Sequence, residues 1–89
     1  MTYAQRAVSA ISEALPGLEP DLVRLYALLA LVKGDRTTLA DVHDAWAVWR
    51  DQTRPDHPSI VPFADLTVEV QELDRPYAVA IHAAAARQP

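Results

Sequence analysis

The residues with the most chemical reach are His43, His57 and His82, the indoles Trp46 and Trp49, and single arginines such as Arg50, Arg54 and Arg75. Zinc needs three or four imidazole, thiolate or carboxylate ligands that converge, usually with some at close helical or turn spacing. No two histidines here stand four apart, HExxH is missing, and Asp41, His43 and Asp44 do not share a helical face. Cysteine is absent, which removes thiolate ligands, cysteine nucleophiles and disulfides together. The pattern calls for no metal and no cofactor. Ser9, Ser12 and Ser59 lack a glycine elbow and a His–Asp relay, and a Ser59–His57 pair would have no oxyanion loop. Gly17 and Gly34 are the only glycines, too few for a phosphate-cradling loop. Carboxylate pairs such as Asp41–Asp44 and Glu69–Glu72 read as solvated helix faces and caps. A protein that is not an enzyme is the expectation.

Binding chemistry is better supplied. Trp46 and Trp49, with Tyr26, Phe63 and Tyr77, could line a groove for a flat ligand, and any one of them could equally be core packing. An aromatic ring buries about 150–250 Å², so a small domain depends on such rings. An indole N–H wants a partner and Trp is rarely buried completely. The surroundings of Trp46 are therefore where a groove is expected. His57 has its own bland role available, as a ring that hydrogen-bonds backbone and fixes the turn at Pro58.

Eighty-nine residues allow one domain, and a chain this short buries only about 60–65% of its unfolded surface. A hydrophobic content of 51% is enough for one core and argues against disorder. The net charge is −4 and the basic residues are dispersed, so the footprint that nucleic-acid binding requires is missing. The longest apolar run, Leu25–Val32, falls far short of the ~20 residues that span a bilayer. With no signal-peptide pattern at the start, the expectation is a soluble, cytoplasmic protein without nucleic-acid or membrane partners.

Helical periodicity organises most of the chain. Tyr3, Ala7, Val8, Ile11, Ala14 and Leu15 form one stripe of a first helix that Pro16-Gly17 ends. A second helix runs from Pro20 to Lys33 and is apolar nearly all round. Such a helix is either central or covers a partner, which makes it a candidate dimer surface. Thr38 and Asp41 make a capping box for a third helix that carries Leu39, Val42, Trp46 and Trp49 and fades near Asp51. Asp65 or Thr67 caps a short helix to Leu73, and Asp74 is placed to cap a last one, Arg75 to Arg87. Between these helical stretches, Thr53–Ala64 holds Pro55, Pro58 and Pro62. It is expected to be stiff and extended, and to insert Ile60, Val61 and Phe63, with Leu66 just beyond, into the helical body.

The run His57-Pro58-Ser59-Ile60-Val61-Pro62-Phe63-Ala64-Asp65-Leu66, followed by Glu72, Asp74 and Arg75, resembles the repeat first seen in ryanodine receptors, the RyR domain. That family has a pattern like H-P-x-[LI]-V-P-[YF]-x-x-L ahead of an acidic helix that ends in an Asp-Arg pair. Leu39–Trp46 resembles the helix before it, so the likeness covers about residues 39–81. The segment Arg50–Asp56 is shorter than its counterpart, and Gln71 stands where a lysine is common. Small stand-alone relatives occur in bacteria and their phages. The resemblance implies an interaction or ligand-sensing module, some relatives binding adenine nucleotides. Adenine would then stack on Trp46 or Trp49, with His57 and Arg75 as polar edge and an arginine fork on phosphate.

The expected architecture is a single all-α domain over residues 1–89. It has four to five short helices: an N-terminal helical hairpin (1–34), then an RyR-like region (37–87) with its Pro-rich crossing. The expected function is a small non-enzymatic RyR-like module that acts through protein contacts, homodimeric through the second helix. The alternative is an adenine-nucleotide-type sensor whose ligand-binding residues are Trp46, Trp49, His57 and Arg75.

Overall fold

Four of the five α-helices among the described residues begin where a side chain satisfies free N–H groups of the first turn. The computed structural model describes residues 1–88 and, among them, contains helices and turns but no strand. Thr2 and Gln5 form a capping box that opens helix α1, Tyr3–Ala14. The carboxylate of Glu19 accepts from the N–H groups of Asp21 and Leu22 and opens α2, Pro20–Val32, with Pro20 at the first helical position. Thr38 and Asp41 make the expected capping box of α3, Leu39–Asp51. Thr67 caps the short α4, Val68–Glu72, and α5 follows as Arg75–Ala86. Turns of 3-10 helix occupy Gly34–Arg36 and Phe63–Asp65.

The core lies among α1, α2 and α5, with Val42 contributed by α3. Its fully buried members are mostly small: Ala7, Ala10, Ala27, Ala30, Ala78 and Ala84 surround Ile11, Ile81, Val23 and Tyr26. Alanine leaves little between two helix backbones, so the helices approach closely and dispersion contacts are dense. One contiguous cluster draws on residues from Ala7 to Ala84, so the N-terminal hairpin and the later helices share a core. Tyr3 and Ala14, expected in the buried stripe of α1, are exposed because they stand at its two ends.

Two pairs of contacts fix the helix directions. The rings of Tyr26 and Tyr77 lie 5.8 Å apart, and eight residues further on in each strand of sequence a Cβ on Gly34 would meet Ala85 at 3.8 Å. Helices α2 and α5 therefore run parallel. Lys33 pairs with Asp41 at 3.0 Å at one end of α2, and Trp49 Nε1 donates to Glu19 Oε2 at 2.9 Å at the other. Helix α3 is thus antiparallel to α2. Burial works against the Asp41 carboxylate, but the Thr38 N–H and hydroxyl and the Lys33 ammonium hold it below its ordinary range. The turn after α2 needs Gly34, which sits at φ +57°, a region costly for other residues. His82 Nε2 then donates to the carbonyl of buried Thr37 at 2.7 Å and ties that turn to α5.

The Pro-rich crossing departs from expectation. It is wound as consecutive turns: His57 N–H donates to Arg54 O, Ile60 N–H to His57 O and Asp65 N–H to Pro62 O. Pro55 and Pro58 each occupy the second position of a turn, where their fixed φ is favourable. Ile60, Phe63 and Leu66 are only half-buried and Val61 is exposed, so the segment lies against the body without entering its core. Side chains hold it from outside. His43 Nε2 donates to Val61 O at 2.7 Å, and Gln71 Nε2 donates to Phe63 O at 2.9 Å and to Leu66 O at 3.3 Å.

Candidate functional site

A cavity of about 570 Å³ opens where the N-terminal ends of α2 and α5 meet the C-terminal half of α3. That volume is in the range of small-molecule pockets. Helix α2 contributes Leu22 and Tyr26, with Glu19 from its cap, at spacings of three and four that keep them on one face. Helix α3 contributes His43, Trp46 and Trp49, three residues apart. Val70 and Leu73 come from α4 and its end, Asp74 and Tyr77 from the start of α5, and His57 and Ser59 from the turn segment. Tyr26 is 1% exposed and His43 3%, which places them at the inner end; Leu73, 67% exposed, stands at the lip.

Trp46 is fixed from two sides. The His57 ring meets it edge-on at 5.0 Å and an angle of 83°, and the His43 ring lies 5.7 Å away. His57 is itself fixed, because its Nδ1 accepts from Ser59 N–H at 3.0 Å. Nδ1 is then unprotonated, and neutral His57 carries its proton on Nε2. His43 also carries a proton on Nε2, since Val61 O only accepts. Trp49 is oriented by its bond to Glu19, while the Arg50 guanidinium sits over its ring at 5.4 Å from the centroid.

Asp74 differs from the other caps. It precedes α5 but makes no side-chain capping bond, and its backbone is helical at φ −81°, ψ −11°. Its carboxylate lines the cavity, where burial raises its pKa and the nearby His43 imidazole partly offsets that rise. Burial also pushes the Tyr26 phenol well above its ordinary value, and the charges of Asp74 and Tyr77 add to the effect. Neither the Asp74 carboxylate nor the Tyr26 hydroxyl has a hydrogen-bond partner among the described residues.

Of the four residues expected to bind a ligand, the fold brings together Trp46, Trp49 and His57. Arg75 is turned elsewhere. Its guanidinium is locked onto Glu72 by a bidentate pair, Nε to Oε2 at 2.6 Å and Nη2 to Oε1 at 3.0 Å. A carboxylate three residues back on the same surface wins that side chain before any distant groove can. The bond also holds the Glu72 carboxyl below its usual range and raises the Arg75 guanidinium. Glu19 and Asp74 are the carboxylates that the sequence does not place here. Glu19 reads as an ordinary residue before a proline, and Asp74 reads as a cap. His43 stands three residues from Trp46, the one signal that could have added it to the Trp face.

Among the described residues, no three His, Asp or Glu side chains converge as metal ligands. Nor is any helix there long and apolar enough to cross a membrane. No curated protein and no solved structure matches the chain. A family model matches residues 2–86, from the Thr2 cap to the last residue of α5, and the chain belongs to that family, the domain of unknown function DUF7701.

Proposed function

We propose that this protein is a non-enzymatic module that binds a small ring-bearing ligand in the cavity between α2, α3 and α5. One observation carries the reading: both tryptophans of the chain line one cavity of about 570 Å³, each oriented by a specific partner. Pre-oriented rings bind flat apolar groups without first losing rotamer freedom. The RyR-domain resemblance of residues 39–81 supports a sensing or interaction role. Against the adenine-nucleotide form of that role, no lysine or arginine lines the cavity among the described residues, so a phosphate would lack a counter-charge.

Because Trp46 and Trp49 are the only indoles, their fluorescence is a direct reporter. Titration with a panel of ring-bearing fragments, adenosine monophosphate included, is expected to give saturable quenching by at least one fragment, lost in Trp46→Ala. A panel without a single saturable response would sink the reading.

A second reading, homodimerisation through α2, is favoured by a different surface. Leu28, Leu31 and Val32 form an exposed apolar stripe, flanked by exposed Arg24 and Asp35. Opposite charges at the two ends of one stripe are self-complementary under a two-fold axis. Light scattering at micromolar concentration is expected to give a dimer that Leu28→Glu dissociates. A monomeric wild type would remove this reading and leave the first untouched.

A further inference from the structure

We infer that the cavity selects an organic cation, an ammonium group on an apolar, ring-sized body. This rests on the ligand-binding reading above and specifies its chemistry. Three features of the cavity converge on it. The first is aromatic: Trp46, Trp49, Tyr26 and Tyr77 all contribute rings, and ring faces attract cations, most strongly where water is excluded. The second is charge. Glu19 and Asp74 are the carboxylates that line the cavity, and among the described residues no lysine or arginine joins them. The nearest candidates are engaged, Arg50 on the Trp49 ring and Arg75 on Glu72. An anionic ligand would face two like charges, with the imidazoles of His43 and His57 but no lysine or arginine beside them.

Unused hydrogen-bonding capacity is the third feature. Glu19 spends one carboxylate oxygen on the α2 cap and the Trp49 N–H, and the bonds all fall on Oε2. Its Oε1 has no bond among the described residues. Asp74 accepts no bond from its own helix. The Tyr26 hydroxyl has no protein partner among the described residues and is not sealed from solvent, since no fully buried side-chain polar atom there is unpaired. An ammonium offers three donors and no acceptor. Asp74, the free oxygen of Glu19 and the lone pairs of Tyr26 are acceptors for such a group. Leu22, Val70 and Leu73 give the apolar body a surface.

The test uses three near-isosteric probes that differ in the head group: 2-phenylethylamine, 2-phenylethanol and 3-phenylpropanoate, each titrated against tryptophan fluorescence at neutral pH. The amine is expected to bind about tenfold more tightly than the alcohol, and the acid more weakly than either. Asp74→Asn should erase most of the amine-over-alcohol preference while alcohol binding persists. Glu19→Gln keeps an acceptor for the cap and for Trp49, and should reduce the preference partially. Far-UV circular dichroism checks that both variants fold. Equal binding of amine and alcohol, or tightest binding of the acid, overturns the cation inference and leaves the ligand-binding reading standing. A preference that survives undiminished in both variants overturns its assignment to this cavity. Silence from all three probes removes the ligand-binding reading and this inference together.

Discussion

Helices α2 and α5 run side by side through two ends of the molecule that are built differently. At the end formed by their C-terminal halves, Ala27, Ala30 and Ala84 let the backbones close up. There the polar groups are satisfied, with His82 on Thr37 O and the Thr37 hydroxyl on Gly34 O. At the other end the same two helices carry Tyr26 and Tyr77, and α3 adds Trp46 and Trp49. Four large rings hold the elements apart, space remains between them, and the Asp74 carboxylate makes no capping bond with its own helix. Small side chains thus give one end density, and large ones give the other a cavity. The contrast teaches that volume along one helix pair can assign packing to one end and recognition to the other.

The largest expected effect breaks the packed end. Ile81 is fully buried, so Ile81→Ala removes its contacts and leaves a void among neighbours too small to fill it. A loss of about 2–5 kcal/mol is expected in urea unfolding, enough to unfold much of a domain this size. Leu73→Ala at the exposed lip of the cavity should cost under ~0.5 kcal/mol, since exposed side chains contribute little. Equal losses at the two positions would mean that the ends are not different in kind.

How far this contrast was legible in the sequence follows from the same physics. Helix positions were legible because caps and stripes are local: Thr38 with Asp41, Pro20, and the Leu39–Val42–Trp46–Trp49 face all sit as their spacing implies. Three of four expected site residues met because two share a helix face and the third begins a proline turn. Arg75 did not, since local ion pairing with Glu72 outranked tertiary placement. Prolines stiffen a chain, which predicts an extended segment, but Pro55 and Pro58 each sit where a turn begins. Glu19 and Asp74 were out of reach. Whether an acidic residue before a helix caps it or faces a cavity is decided by the neighbours that tertiary folding supplies, here Trp49 for Glu19 and an open space for Asp74.

A middle-sized effect sharpens the comparison from the cavity side. Glu19 is the cavity carboxylate that also stabilises the fold, as cap of α2 and acceptor for Trp49. Glu19→Ala should therefore cost about 1–2 kcal/mol, while Glu19→Gln stays within ~0.5 kcal/mol because its amide oxygen still accepts. The Ala variant should also shift tryptophan emission, as the Trp49 indole loses its partner. If Gln costs as much as Ala, the charge at the α2 N-terminus and not the bonds supplies the stabilisation.

The smallest effect has the opposite sign, and it separates the two ends most sharply. Burial raises the Asp74 carboxyl above its ordinary 3.8, with the His43 imidazole opposing. From that value up to the raised one, the folded chain keeps a proton that the unfolded chain has released. The native state binds more protons in this window, so stability falls as pH rises through it. Above the window an ionised, half-buried carboxylate with no partner remains as a cost to the fold. Asp74→Asn cannot ionise and should melt slightly higher than the wild type at neutral pH, by a few degrees at most given the solvent access of the site. The two melting curves should converge below the window, where the wild-type carboxyl is protonated too. Thermal melts at a series of pH values read this directly. A variant less stable at neutral pH would mean that Asp74 is held by a partner and that the cavity end is satisfied as the packed end is. A more stable variant that also loses its preference for 2-phenylethylamine would join the two findings: the group that recognises the cation is the group that the fold is better off without.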